Sequence, residues 1–383
     1  KLSSFPQENF TGIQIVKSYA IQEPKSNQFN QLSEINKTNQ INLVKMQALF
    51  FPLMILLIGV SNIFVIYIGG KQYLDGRIEN IGIIAEFIIY VNMLTWPVAS
   101  LGWISSIVQQ AEASQKRINE FLKEKSEITN KTKAYKKLTG KIEFKNVSFT
   151  YEESKIQALK DVDFVIEQNK SLGLIGITGS GKTTALKLLT RMYNLNSGQI
   201  LIDNKIITEF DLESLRKQIG VVPQDSFLFS DSIINNIRFG DEKANKKEVE
   251  EVCKIAGIHD EIIKFKKGYD TILGERGVNL SGGQKQRICI ARALIKKPKI
   301  LILDDCLSAL DTETELKVIK SLKNYIKNTT TIISSHRLSS VQNLDEIVVL
   351  GDGKIIQKGN HEQLIKEKGY YKELFKKQLT KKR

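Results

Sequence analysis

Polar and apolar positions divide the chain into an N-terminal helical region with two long apolar runs and a later region where strand and helix patterns alternate. The first 45 residues are polar, with a predicted helix face at Ile13, Val16, Tyr19 and Ala20. No charged residue occurs at 46–70 or 87–111. Each run is long enough to cross about 30 Å of hydrocarbon as a helix. We therefore predict membrane-spanning helices at about 47–70 and 81–111.

The charges around these runs indicate an orientation. Basic residues flank both outer ends, whereas the charges of the loop at 71–80 cancel. Because basic flanks mark the cytoplasmic side, both ends are predicted to be cytoplasmic and the loop external. A pair of buried helices in a soluble protein is disfavoured by the length of both runs. We expect a multi-pass protein of the inner (plasma) membrane, in contact with membrane lipid.

Composition bounds the remaining possibilities. With 383 residues, of which 42% are hydrophobic, the chain has room for two or three domains. Its formal charge of +14 fits either a nucleic-acid binder or a membrane protein with basic cytoplasmic segments, and the apolar runs favour the second, without a nucleic-acid partner. Cys253, Cys289 and Cys306 lack metal-ligand spacing and fit a reduced compartment. The chain begins without Met inside a helical pattern, so we expect it to be part of a longer protein.

The second half of the chain predicts a layered α/β domain. Lys-rich residues 126–139 suggest a linker, and 141–151 alternate apolar and polar positions as a strand does. Strands then alternate with helical stretches. The predicted fold is thus a multi-domain chain in which a transmembrane helical part, at 1–125, precedes an α/β P-loop NTPase domain at 140–383.

A phosphate-binding loop lies near the start of this domain. The sequence GITGSGKTT fits G-x-x-x-x-G-K-[ST] between an apolar strand and a helix, a context that makes a chance Gly-rich turn improbable. The motif directs backbone N–H groups toward a phosphate. Lys182 is expected to reach the β- and γ-phosphates, and the Thr183 hydroxyl to ligand Mg²⁺. The candidate nucleotide-binding residues are Gly176, Thr178, Gly179, Ser180, Gly181, Lys182, Thr183 and Thr184.

Two further motifs suit the same chemistry. An apolar strand ends in Asp304, suited to Mg²⁺ coordination, and in Asp305, placed to polarise an attacking water. Ser281, Gly282 and Gly283 open a predicted helix and form a second anion site. One chain rarely needs two such sites for one nucleotide, whereas two copies face to face would use both.

In this order the motifs resemble those of ATP-binding cassette (ABC) transporters. Residues 140–380 are similar to the nucleotide-binding domain of that family, and 1–125 resemble the end of the membrane domain of an ABC exporter half-transporter. The sequence LSGGQKQR at 280–287 resembles the family signature, which includes Gln284. The resemblance implies an ATPase with ATP and Mg²⁺ as ligands.

The resemblance also implies roles for single residues. Tyr151 matches the aromatic residue that stacks on adenine, Gln224 the glutamine that contacts Mg²⁺ and senses the membrane domain, and His336 the histidine at the γ-phosphate. Asp311 lies in the segment Ser308–Asp311, which matches the loop that crosses the dimer interface.

Two segments match exporter elements. Gly274–Gly277 resembles the segment near the intracellular loops. Gly12–Glu23 resembles the second coupling helix, which docks on the partner's nucleotide domain.

The sequence departs from the family pattern at two positions. Asn169 stands where Gly is usual, and Asn tolerates a positive φ. Asp305 stands where active cassettes usually carry Glu, which puts the hydrolysis rate in doubt. The family's half-transporters have six membrane helices, and only the last two match here.

The function expected from sequence is ATP-driven export of a lipid, drug or peptide. The transporter would be a homodimer, or a heterodimer with a second half-transporter, closed by ATP between two nucleotide domains. One alternative is a soluble ABC ATPase of DNA repair or translation, which the basic charge permits. Another is a mainly regulatory, weakly hydrolysing subunit of a heterodimeric exporter, which Asp305 suggests.

Overall fold

The structure is a computed structural model that describes residues 2–130, 136–274, 277 and 279–380. The chain forms two compact units, Lys1–Lys125 and Ser126–Arg383.

The first unit is helical and is built on an antiparallel pair. Its helices are α1 (Ser4–Thr11), α2 (Ile13–Ser18), α3 (Gln22–Leu74) and α4 (Gly82–Lys123). Glycines bring the two long helices together: a Cβ on Gly69 would lie 3.0 Å from Ile84, and one on Gly102 would lie 3.9 Å from Phe50. Within the described residues, α3 and α4 are long and apolar enough to cross a membrane by length and composition.

Helix boundaries differ from the sequence prediction at two places in this unit. Helix α3 has 53 residues, about 80 Å at 1.5 Å per residue, and continues through the change from polar to apolar composition near residue 46. The predicted start at about residue 47 followed the change in composition. Such a change reflects different surroundings along one helix and does not end the helix. The predicted helix face at Tyr19 and Ala20 is wrong, because α2 ends at Ser18 and Ala20 has φ +52°.

The second unit contains two sheets and the helices around them. The strands are β1 (Ile142–Thr150), β2 (Gln157–Ile166), β3 (Ser171–Gly176), β4 (Ser197–Ile202), β5 (Lys205–Ile206), β6 (Ile219–Val222), β7 (Ile300–Asp304), β8 (Thr330–Ser334), β9 (Glu346–Gly351) and β10 (Lys354–Gly359). The helices are α5 (Lys182–Leu189), α6 (Leu212–Lys217), α7 (Ile233–Arg238), α8 (Lys246–Ile255), α9 (His259–Ile262), α10 (Gly282–Ile295), α11 (Thr312–Ile326), α12 (His361–Lys366) and α13 (Tyr370–Thr380). Short 3₁₀ turns occur at Ile207–Glu209, Gly268–Asp270 and Leu338–Ser340.

The larger sheet carries the central core. Its order is β10-β9-β3-β8-β7-β6, parallel except for the β10–β9 pair. Strands β3, β7 and β8 are buried along their whole length, as expected for central parallel strands with both faces covered. A smaller antiparallel sheet, β2-β1-β4-β5, completes the unit.

The predicted linker at 126–139 is bound to the second unit at both described ends. The Asn130 side-chain nitrogen donates to Asp211 at 2.6 Å, and the Asn130 side-chain oxygen accepts from the Leu212 N–H at 2.9 Å. Leu138 is fully buried, and its N–H donates to Gln218. The compositional prediction therefore missed that the chain joins the domain before the first strand, while 131–135 lie outside the described residues.

Candidate active site

The predicted chemical groups lie at one edge of the larger sheet. Strand β7 ends at Asp304, β8 ends two residues before His336, and β6 ends two residues before Gln224. Strand β3 leads directly into the phosphate loop, residues 176–183. Since the carboxyl ends of parallel strands share an edge, the topology brings these groups together in a position typical of ligand sites in α/β proteins.

Lys182 lies folded over the phosphate loop. It is 6% exposed, and its ammonium group donates to the carbonyl oxygens of Gly176 and Ile177, both at 2.9 Å. Burial lowers the pKa of Lys182 below its ordinary value, while Asp305 and Asp304 act in the opposite direction. A buried cation held by neutral carbonyl groups is well placed to exchange those contacts for anionic phosphate oxygens.

Two glycines of the loop are required for different reasons. Gly179 has φ +81° and open space around its Cα, so its backbone conformation excludes side chains. Gly181 has φ +101°, and a Cβ there would also lie 2.5 Å from the Ala158 carbonyl oxygen. Such left-handed turns are typical of concave anion sites formed by backbone N–H groups. Ser180 is buried beneath the loop, whereas Thr178 is exposed.

Tyr151 is tied to the helix that follows the phosphate loop. Its hydroxyl lies 3.0 Å from the Thr184 hydroxyl. Its ring meets those of Phe149 and Tyr193 edge-on, at centroid distances of 4.9 and 5.4 Å. Thr184 is therefore bonded to Tyr151, and Thr183 is half-exposed at the start of α5. This aromatic group therefore lies next to the helix that follows the phosphate loop.

The acidic pair at the end of β7 has two different environments. Asp304 is 5% exposed, and one oxygen accepts from the Ser334 hydroxyl at 2.6 Å. Asp305 has φ +43°, a region that Asp tolerates better than most residues, and its N–H donates to the Ser334 carbonyl oxygen. Burial raises the pKa of Asp305, although His336 and Lys182 oppose that shift. A carboxylate with a raised pKa is suited to accept a proton.

His336 and Gln224 complete this edge. His336 lies close enough to Asp305 to act against the raised pKa of that carboxyl group, and the residue is half-buried. Gln224 is exposed in the segment that follows β6.

The signature motif is a capping box at the start of α10. The Ser281 hydroxyl accepts from the Gln284 N–H at 3.2 Å, and the Gln284 side-chain oxygen accepts from the Ser281 N–H at 2.9 Å. The Gln284 amide nitrogen donates to Glu261 at 2.8 Å, and Arg287 donates to the other Glu261 oxygen at 2.6 Å. The Gln284 side chain thus makes contacts within its own domain, and its nucleotide contact stays a prediction.

Around this box, Gly282 and Gly283 leave the helix start open. A Cβ on Gly283 would lie 2.9 Å from the end of the Leu310 side chain, which would have to shift to admit it. Asp311 caps α11 by accepting from the Thr314 N–H at 2.9 Å and is exposed. Of the predicted segment Gly274–Gly277, Glu275 and Arg276 lie outside the described residues.

Sequence reasoning missed three residues that hold these groups in place. Glu261 fixes the start of α10, and Glu315 and Arg337 connect α11 to the segment that contains His336. Each pairs with residues about 20 or more positions away, so spacing gave no signal. The position of Arg337 directly after His336 was the one feature of the sequence that could have marked it as part of the site.

The phosphate loop, the acidic strand end and the signature helix of a mainly parallel sheet define an ATP-binding domain of the ABC type. Residues 159–308 match the family description "ABC transporter", and residues 1–98 match "ABC transporter transmembrane region". The chain belongs to the ABC transporter family and combines a helical transmembrane region with an α/β nucleotide-binding domain of the exporter kind. The transmembrane match argues against the soluble ABC ATPase.

Similar proteins support this assignment over nearly the whole chain. The ABC transporter ATP-binding protein YknU of Bacillus subtilis (strain 168) is 41% identical over 98% of this chain and 64% of its own length. The multidrug resistance-like ATP-binding protein MdlA of Buchnera aphidicola subsp. Schizaphis graminum (strain Sg) is 40% identical over 98% of this chain and 64% of its own length. This chain thus spans less than two thirds of these curated relatives.

A solved structure shares the fold. A bacterial Atm1-family ABC exporter with ATP bound superposes with a TM-score of 0.88 at 29% identity, over 98% of this chain and 66% of that one. The predicted fold class and family are confirmed.

Proposed function

We propose that this chain belongs to an ABC exporter subunit that hydrolyses ATP to move a substrate across the membrane. One observation carries the proposal: a single chain holds two anion sites, the phosphate loop with Lys182 and the signature helix start at Ser281. ATP between the loop of one subunit and the signature of another would use both, in a homodimer or a heterodimer.

The residues at the sheet edge supply the parts of a phosphoryl-transfer site. Lys182 binds the β- and γ-phosphates in place of the loop carbonyl groups. The Thr183 hydroxyl, Asp304 and Gln224 offer hard oxygen ligands of the kind Mg²⁺ prefers, and such an ion neutralises phosphate charge when bound. Tyr151 stacks on adenine, next to the helix after the phosphate loop that its hydroxyl already contacts.

Asp305 and His336 act on the attacking water. The water oxygen forms a bond to the γ-phosphorus while the bond to the ADP oxygen breaks, and Asp305 accepts the proton that the water loses. The raised pKa of Asp305 favours this acceptance. His336 holds the γ-phosphate oxygens.

Coupling to the membrane region is proposed to run through residues 12–23 of the partner subunit. The nucleotide domain offers a cavity of about 730 Å³ whose lining includes Met192, Arg216, Val221, Phe239, Arg292 and Lys296. Phe239 is 65% exposed, with the Arg292 guanidinium 5.6 Å from its ring centre. The segment 12–23 offers complementary chemistry, since Ile15 and Tyr19 are exposed and Glu23 is acidic.

The proposed topology places both ends of the two long helices, and hence the nucleotide domain, in the cytoplasm of a multi-pass protein. The substrate is proposed to be a lipid, a drug or a peptide, and the Buchnera relative carries the description multidrug resistance-like. A mainly regulatory subunit is the second candidate, because Asp305 is one methylene shorter than the usual Glu.

ATPase measurements on the full-length protein in lipid nanodiscs test the proposal. Lys182→Ala is expected to weaken ATP binding strongly and abolish turnover, because it removes the cation that faces the phosphates. Lys187→Ala is the matched control: this exposed lysine lies in the same helix and should leave both values unchanged. Unchanged nucleotide affinity in Lys182→Ala would refute the site assignment.

A further inference from the structure

Arg337 connects the segment after β8 to the segment after β7. Its guanidinium group donates to the carbonyl oxygens of Ser308 at 2.8 Å and Leu310 at 3.0 Å. A third hydrogen bond reaches the carboxylate of Glu315 at 2.6 Å. Arg337 directly follows His336, whereas the exposed Ser308 and the buried Leu310 lie in the segment that precedes α11.

The buried carboxylate of Glu315 holds this arrangement in place. It is 1% exposed, and the oxygen that does not face Arg337 accepts from the hydroxyls of Ser339 at 2.8 Å and Ser340 at 2.6 Å. A buried carboxylate needs such compensation because desolvation of an unpaired charge is costly. The single carboxylate thus holds both flanks of the same turn, through Arg337 on one side and two serines on the other.

The connection closes a ring around the acidic strand end. The Ser308 hydroxyl donates to the Asp305 carbonyl oxygen at 2.8 Å, and the Asp305 N–H donates to the Ser334 carbonyl oxygen. The Arg337 N–H donates to the Ser335 hydroxyl at 2.9 Å. A displacement of Ser308 is therefore transmitted through the planar guanidinium fork to the residue next to His336.

We propose that Arg337 is a positioning residue that makes the placement of His336 depend on the conformation of residues 308–311. The inference rests on the proposed function, in which 308–311 contact the partner subunit on closure and His336 contacts the γ-phosphate. Arg337 contacts neither nucleotide nor water in this scheme and acts through His336. Contact of the partner subunit with 308–311 then positions His336 when the two ATP sites of the dimer are assembled.

A second tether on the same turn provides a matched control. The Gln378 side chain in α13 donates to the His336 carbonyl oxygen at 2.9 Å and accepts from the Leu338 N–H at 3.0 Å. These contacts hold the His336 turn without involving 308–311. Gln378→Leu should therefore loosen the turn but leave its link to 308–311 intact.

Hydrogen exchange measured by mass spectrometry on the full-length protein in nanodiscs tests the link. With Mg²⁺ and a non-hydrolysable ATP analogue, the wild type should show slower exchange in both 306–311 and 335–340. Arg337→Lys keeps the charge opposite Glu315 but lacks the second nitrogen for the carbonyl groups. We expect it to retain the slowing in 306–311 and to lose it in 335–340 by at least about threefold. Gln378→Leu should exchange faster in 335–340 without nucleotide and still respond to the analogue.

Full slowing of 335–340 in Arg337→Lys, or equal loss in Gln378→Leu, would overturn the proposal. No slowing of either segment in the wild type would instead refute the proposed function, and this inference with it.

Steady-state and single-turnover kinetics distinguish a positioning role of Arg337 from a purely structural one. Arg337→Lys should lower kcat with little change in KM, and in a His336→Gln background the same substitution should change the residual single-turnover rate by less than about twofold. An equal fractional loss in both backgrounds would show that Arg337 does not act through His336.

Discussion

Asp305→Glu perturbs the position where the sequence departs most from an active cassette. The substitution adds one methylene and moves the carboxylate roughly 1–1.5 Å further along the side chain. Lys182, Thr183 and Asp304 stay unchanged, so nucleotide affinity should hardly alter.

The substitution has two opposing effects, a gain in turnover and a cost in backbone strain. A misplacement of ~1 Å can cost on the order of a hundredfold in rate, or about 2.7 kcal/mol of activation free energy. Asp305 has φ +43°, and replacing Asp by Glu in this left-handed region costs about 1 kcal/mol. That strain is present in both the ground state and the transition state, so it lowers stability rather than turnover. We expect turnover to rise at least several-fold and the melting temperature to fall by about 2–4 °C.

Single-site ATP hydrolysis and thermal unfolding of the same purified dimer check these two effects. Asp352 is exposed and has φ +47° in the turn between β9 and β10. Asp352→Glu therefore makes the same backbone demand at a residue without a proposed catalytic role, and it should lower stability without changing the rate. Asp305→Asn keeps the shape and removes the base, so it should abolish turnover. A wild-type rate equal to or above that of Asp305→Glu would refute an impaired site and show that Asp already reaches the water.

Three further predictions test other parts of the molecule. Burial acts to raise the pKa of Asp203, but hydrogen bonds from residues 139–141 outweigh it and hold the pKa below its ordinary value. The ionised Asp203 carboxylate therefore stabilises the fold. This stabilisation is present above the unfolded-state pKa of about 3.9 and is lost as the pH falls through the lower folded-state pKa. Asp203→Asn should therefore lower the free energy of unfolding by about 1–3 kcal/mol at neutral pH, measured by urea unfolding. The difference between wild type and variant should disappear in acid, and a difference that does not depend on pH would contradict this prediction. Ser281→Arg should block ATP-dependent closure, measured by inter-subunit spectroscopic distances, without preventing ATP binding, and closure that persists would count against the shared site. Val16→Pro should undo α2, since an interior Pro costs ~3 kcal/mol, and uncouple ATPase from transport; normal substrate stimulation would exclude a coupling role.

Local pattern was sufficient where one segment carries all the information. The phosphate loop is contiguous, and its flanking strand and helix are visible in the sequence, so the ATP-binding fold could be predicted and is confirmed. The apolar strand before Asp304 is likewise buried throughout. These elements need no distant partner to be recognised.

Pattern failed where distant residues meet. The contacts of Glu261 with Gln284, and of Glu315 with Arg337, join segments that periodicity cannot relate. The N-terminal end of α3 was missed for a different reason: polar and apolar residues share one helix, and only the surroundings change at their boundary. The residue roles at the site stay predictions that the following experiment addresses.

The shared ATP site is tested most directly by combining two inactive variants. Lys182→Ala damages the phosphate loop and Ser281→Arg damages the signature, so a dimer of either variant alone has no intact site. A mixed dimer, isolated with two affinity tags, pairs the intact loop of the Ser281→Arg subunit with the intact signature of the Lys182→Ala subunit. Our account predicts that single-turnover hydrolysis returns in this mixed dimer at one site, with vanadate-trapped nucleotide on the Ser281→Arg subunit. Mixed dimers as inactive as either parent, with no trapped nucleotide, would contradict it.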